Sequence, residues 1–135
     1  MSGIESERGT SSDANIPFPL RVVRDSSNEI ARYRGLDTLT AEALSKFALI
    51  NFRIKDIAED FRGTATRSVG YPMSANEEGI TEIWVVSREG YPDMLRDLST
   101  RAFNLYNTYL SGSENTRAAA KEVQGIVIDL FPPHL

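Results

Sequence analysis

The chain contains no cysteine and one histidine, His134, next to its last residue. Without thiols there are no disulfides, zinc-thiolate centres, iron-sulfur clusters or thiol nucleophiles. Behind two prolines at the end of the chain, the imidazole is badly placed for acid-base catalysis, metal ligation or a Ser-His-Asp arrangement. A Walker loop, a GxGxxG fingerprint and a GxSxG serine are also missing. No apolar run approaches the roughly 20 residues that span a bilayer. The opening MSGIESERGTSSDANIPFP lacks the charged-then-apolar order of a signal peptide. These absences point to a soluble, cytoplasmic protein with no membrane association and no cofactor or metal.

Basic charge is also in short supply. Fifteen Lys and Arg against 19 Asp and Glu give a net charge of -4 and a pI near 5.0. Phosphate neutralisation is therefore a poor main source of affinity, and nucleic acid is a possible but not a favoured partner.

What is present fits one domain in 135 residues, enough to form a core without covalent staples. Residues 1–19 are rich in Ser, Gly, Glu and Asp and read as a flexible N-terminal arm; 20–135 read as a single α+β domain. LRVVR, DSSN and EIARYR, from Leu20 to Arg34, suggest two short strands joined by a turn. A long helix follows, with Phe47, Ile50, Ile54, Ile57 and Phe61 recurring at spacings of three and four. Asp37, Thr38 or Thr40 is placed to cap it and Gly63 to stop it. TATRSVGY and GITEIWVVSREG read as two more strands, linked by PMSANEEG as loop. Ile80, Trp84 and Val86 point to one side of the second and Ile83 and Val85 to the other, which suggests an interior strand. Two helices close the chain, one striped by Leu95, Leu98, Ala102 and Leu105, the other by Ala119, Val123, Val127 and Leu130. The order ββαββαα implies a four-stranded, mainly antiparallel sheet covered by three helices.

The triplet Gly-Tyr-Pro occurs at 70–72 and again at 90–92. Pro72 follows the expected strand end while Pro92 suits a helix start, so the two copies read as punctuation rather than a duplicated site.

Four clusters could carry chemistry. Asp56, Glu59 and Asp60 share a helical face and could hold a hard cation or a basic partner, but the interleaved Arg53, Lys55 and Arg62 make a solvated face with surface ion pairs the better reading. In the connection Ser87 to Met94, Arg88, Tyr91 and Asp93, with Trp84 nearby, are candidate ligand-binding residues at a strand end and helix start. Arg21, Arg24, Arg32 and Arg34 lie on the expected hairpin, where Arg32 and Arg34 share a face as a small guanidinium stripe able to grip phosphates, carboxylates or an RNA backbone, although a charged outer face that discourages aggregation is the simpler reading. The stripe Phe47, Ile50, Ile54, Ile57 and Phe61 is long enough to pair with a second copy, and twelve arginines against three lysines suit contact surfaces. No cluster assembles a nucleophile, a base and an orienting group. The leading expectation is a non-enzymatic interaction or assembly protein that self-associates as a homo-oligomer and binds a protein partner. The alternatives are a ligand-binding domain or histidine-independent enzyme using Ser87 to Met94, and a nucleic-acid-associated regulator or viral accessory protein using the arginines.

Overall fold

The computed structural model describes residues 16–63, 67–76 and 79–131. Most of the expected arm, residues 1–15, lies outside them, as does His134; Ile16 is buried. The element order is α1 (Phe18–Tyr33), α2 (Thr38–Arg62), β1 (Val69–Asn76), β2 (Gly79–Val86), α3 (Tyr91–Leu105), a π-helical turn (Tyr106–Leu110) and α4 (Glu114–Asp129).

The expected four-stranded sheet is therefore wrong: the described residues hold four α-helices and one two-stranded antiparallel sheet. The error lies in residues 20–34, which form a helix and not a hairpin. Leu20, Val23, Ser27, Ile30 and Ala31 are its buried positions, and their spacing is helical. The apparent turn DSSN lies inside this helix. Ser27 Oγ donates to the Arg24 carbonyl at 3.0 Å, which satisfies the hydroxyl locally and lets a small polar residue sit at a tight helix contact. The helix ends at Gly35, whose φ of +65° is the left-handed conformation glycine adopts without strain. Gly35 N donates to Arg32 O and Leu36 N to Ala31 O, the paired bonds of a Schellman ending.

Asp37 caps α2 by accepting from Thr40 N at 2.8 Å, and Gly63 closes the helix after 25 residues. Hydrogen bonds from Thr40, side chain first and amide second, hold the Asp37 carboxyl below its ordinary value of 3.8. A lowered carboxylate pKa means the folded chain favours the charged form. Its contribution is present above the ordinary value and disappears as pH falls through the lowered one. Asp37→Asn keeps a capping oxygen without the charge, so its thermal midpoint should fall less on acidification than that of the parent, while Asp37→Ala should be less stable throughout. Identical acid limbs for parent and Asn variant would refute this assignment.

Residue α2 neighbours define the architecture. Phe61 stacks on Tyr91 at the start of α3, and Phe47 meets Tyr106 just beyond its end, so α3 runs antiparallel to α2. Arg34, just before α2, donates to Asn115 and Glu122 of α4, and Phe52 meets Phe131 beyond the end of α4, so α4 runs with α2. One core cluster joins α1, the first half of α2, the π-helical turn and α4 around Leu44, Phe47, Phe52, Leu110 and Val123. The second joins the last turns of α2 to the hairpin and the start of α3 through Ile57, Phe61, Tyr71, Met73, Val86 and Leu98.

β1 and β2 pair from Val69↔Val86 to Asn76↔Gly79, with register shifts on either side of Ser74. β1 thus runs through Pro72, which was expected to follow the strand. β2 is not interior either. Tyr71 and Val86 are buried on the face toward α2, but Ile83 and Val85 are 58% and 69% exposed on the other, opposite Pro72 and Gly70. Pro92 sits in the first turn of α3, as its fixed φ favours.

Candidate functional site

Each candidate cluster can now be placed. In the Ser87 to Met94 connection, Arg88 donates to the Phe61 carbonyl near the end of α2 and lies 5.7 Å from the Tyr91 ring centre. Tyr91 stacks on Phe61 at 5.0 Å, and Asp93 accepts from Arg96 at 2.7 Å. Trp84 Nε1 donates to Glu82 at 2.5 Å, with Arg101 over its ring. That indole bond and one from Ser74 hold the Glu82 carboxyl below its usual range. These groups lock α2, the hairpin and α3 together; the connection is a joint in the fold.

The acidic cluster is divided among internal partners. Asp56 accepts from Arg53, Glu59 from Arg62 at 2.6 Å, and Asp60 from the Tyr71 hydroxyl at 2.7 Å. Among the described residues no group of three or more acidic or histidine side chains could hold a metal ion. Arg53 is only 4% exposed; it lies over Phe52 and Tyr71 and donates Nε and Nη2 to the Pro72 carbonyl at 3.0 and 2.5 Å. Burial lowers the Arg53 pKa and raises that of Asp56, each opposed by attraction to the other. Burial and then the bond to Asp60 push the Tyr71 phenol well above its usual range. The network therefore fastens β1 to α2.

Because residues 18–33 are helical, the hairpin face expected to pair Arg32 with Arg34 does not exist: Arg21, Arg24 and Arg32 fall on one side of α1, and Arg34 follows its end. Arg24 pairs with Asp25, Arg34 is tied to α4, Arg21 lies over Phe18 with a buried Nε that has no partner, and Arg32 is exposed in the last turn of α1. The stripe of α2 is covered by the chain itself: Phe47, Ile57 and Phe61 are buried, and Ile50 and Ile54 are half-buried.

The surface that remains open lies elsewhere. α3 and α4 pack on α2 from different sides and leave a groove between them. One section, of about 600 Å³, has Phe47, Ala102 and Ala120 in its floor and Phe103, Tyr106, Arg117 and Lys121 along its walls. A second, of about 310 Å³, is lined by Ile54, Lys55, Val127 and Ile128. Asn51 and Gln124 belong to both, so the two form one trough along about two turns of α2. Phe103 is 64% and Ile128 55% exposed at its walls.

The groove's shape depends on the end of α3. There the chain widens into a π-helical turn, in which Ser111 N bonds to Tyr106 O five residues back. The first turns of α4 fasten that turn in place: Thr116 Oγ1 donates to Leu110 O at 2.9 Å and Arg117 Nη1 to Ser111 O at 2.9 Å. Ser113 caps α4 by accepting from Thr116 N. Tyr106 is thus presented at the wall by a backbone irregularity that helical periodicity does not reveal. Phe103 and Ile128 do leave a trace in the sequence, as large apolar residues off the core stripes of their helices. Compared with known proteins, the chain matches no family model, no curated protein and no solved structure.

Proposed function

We propose that this chain is a non-enzymatic interaction and assembly module that engages a protein partner through the groove between α3 and α4. The observation that carries the reading is an elongated apolar trough on a helical scaffold, with Phe103 and Ile128 more than half exposed at its walls. Open apolar surface rimmed by polar groups is characteristic of interaction sites, and a trough between helices is the usual receptor for an amphipathic helix. The polar clusters support the same reading by their internal pairing. Arg53, Asp56, Asp60 and Tyr71 hold the hairpin, and Arg88 and Tyr91 hold the end of α2. Among the described residues no helix is long and apolar enough to cross a membrane. The lack of cysteine favours a reducing, cytoplasmic setting.

Self-association belongs to this reading through the hairpin. Among the described residues β2 pairs with β1 alone, and Val85 and Ile83 stand exposed opposite Gly70 and Pro72. Edge strands with uncovered apolar faces tend to pair with other chains unless charge or proline blocks them. β1 carries Pro72, whose carbonyl is already bound by Arg53, which leaves β2 as the more receptive strand. Light scattering on the eluting full-length protein should find a dimer or larger species that persists on dilution. Ile83→Lys with Val85→Lys should convert it to a monomer with an unchanged circular dichroism spectrum. A parent that is monomeric at every concentration would overturn the self-association part of the reading.

A further inference from the structure

We infer that the α3–α4 groove receives an acidic amphipathic helix, in which carboxylates flank an apolar face. This deepens the interaction reading and rests on it. The new information is charge. The net charge of the chain is -4, yet the groove is lined by Lys55, Arg117 and Lys121 and by no aspartate or glutamate. Two of the chain's three lysines are on this one trough.

These cations are available. Lys55 and Lys121 form no hydrogen bond or ion pair among the described residues, and both are exposed. Arg117 gives one donor to the Ser111 carbonyl and retains others, since guanidinium carries five. The nearest acid in sequence on α4, Glu122, is held away by Arg34, which donates to it at 2.8 Å through Nε. The pairing of Arg34 with Glu122 thus neutralises the acid beside Lys121 as well as joining the end of α1 to α4. Lysine is normally depleted in interface cores, and here the lysines stand beside the apolar floor, where rim charges select and steer a partner.

The floor separates a protein helix from a phosphate backbone. Phe47, Ala102, Ala120 and Val127 offer a buried apolar base, with Ile54 half-buried and Phe103, Tyr106 and Ile128 along the sides. A helix supplies apolar side chains at i, i+3 or i+4 and i+7 to such a base, and carboxylates on its flanks to the cations. Asn51 uses its amide to donate to Phe47 O at 2.8 Å, which leaves its side-chain carbonyl to receive a polar group at mid-groove.

The test uses the full chain and two synthetic helical peptides of about 18 residues with one shared Leu/Phe face, bearing either Glu or Lys at the polar positions. Fluorescence anisotropy gives affinity, and amide shifts in a nitrogen–proton spectrum give location. The Glu peptide should bind at least about tenfold more tightly than the Lys peptide, and the advantage should shrink as NaCl rises from about 50 to about 500 mM. The largest shifts should fall on residues around Asn51, Phe103, Lys121 and Gln124. Lys55→Glu with Lys121→Glu should reverse the preference, and Lys55→Gln with Lys121→Gln should reduce it to the part that Arg117 supplies; both positions are exposed and the substitutions should leave the fold intact. Equal binding of both peptides in the groove would overturn the acidic assignment and leave the interaction reading standing. Silence of the groove amides toward both peptides would overturn the groove as a docking site; in that case a stable dimer by light scattering would still support assembly. Displacement of the Glu peptide by an oligouridine, or by a peptide of residues 1–15, would likewise overturn the proposed occupant.

Discussion

Arg53→Ala is expected to destabilise the chain by about 3–5 kcal/mol, the range seen when one partner of a buried ion pair is removed. The substitution leaves Asp56 partly buried without its cation and deprives the Pro72 carbonyl of both donors. It also empties the space over Phe52 and Tyr71. Because these bonds run from α2 to β1, hydrogen exchange should speed up across the hairpin before it does in α1 or α4. Arg53→Met with Asp56→Leu should recover part of the loss, since it removes the lone charge and restores packing. An unpaired Pro72 carbonyl, at about 1–3 kcal/mol, keeps the recovery incomplete. Equilibrium unfolding in urea measures all three variants. A loss below about 1 kcal/mol for Arg53→Ala would place the residue with ordinary surface positions and refute its role as a fastener.

Phe61→Ala should be comparably damaging, at about 3–5 kcal/mol, for a different reason. Phe61 is fully buried and stacks on Tyr91 at 5.0 Å with the rings nearly parallel. With Ile57 it holds the end of α2 against the start of α3 from within the second core cluster. Truncation leaves a cavity and forfeits the aromatic contact, itself about 1 kcal/mol. The sequence stripe also suits a surface shared with a second copy, and the two roles have opposite signatures. A core residue lowers the urea midpoint at every protein concentration. An interface residue lowers the oligomer mass and leaves the monomer stable. A Phe61→Ala chain of unchanged stability that no longer associates would return the stripe to the interface.

The candidate site was legible in the sequence only in part. Phe47 and Ile54 were read as contact residues from the α2 stripe, and both line the groove, but Phe47 is a buried floor and not a free surface. Lys55 was read only as a neutraliser of Asp56, Glu59 and Asp60. Arg53 and Arg62 pair with Asp56 and Glu59, Asp60 takes a hydrogen bond from the neutral Tyr71 phenol, and Lys55 lines the groove. Arg117 and Lys121 were missed because nothing in the spacing of single charges on α4 says which neighbour they face. Their convergence with Lys55 arises when two helices far apart in sequence settle on the same third helix.

The local signals by themselves determined a great deal. The capping cluster Asp37 to Thr40 and Gly63 bounded the longest helix, the stripe of Ala119, Val123, Val127 and Leu130 marked α4, and Pro92 marked the start of α3, because caps, terminators and periodicity act over a few residues. What only the tertiary structure decided is where local preference was balanced. Val22, Val23 and Asp25 to Asn28 suit strand and turn, yet this segment is helical because Leu20, Val23, Ile30 and Ala31 then bury one face against α2 and α4. Ile83 and Val85 suit an interior strand, yet no third strand reaches them among the described residues, because the segment that would have supplied it is α1. Burial of a whole helical face outweighs the few tenths of a kcal/mol by which single residues prefer strand to helix, and that burial depends on packing partners distant in the chain.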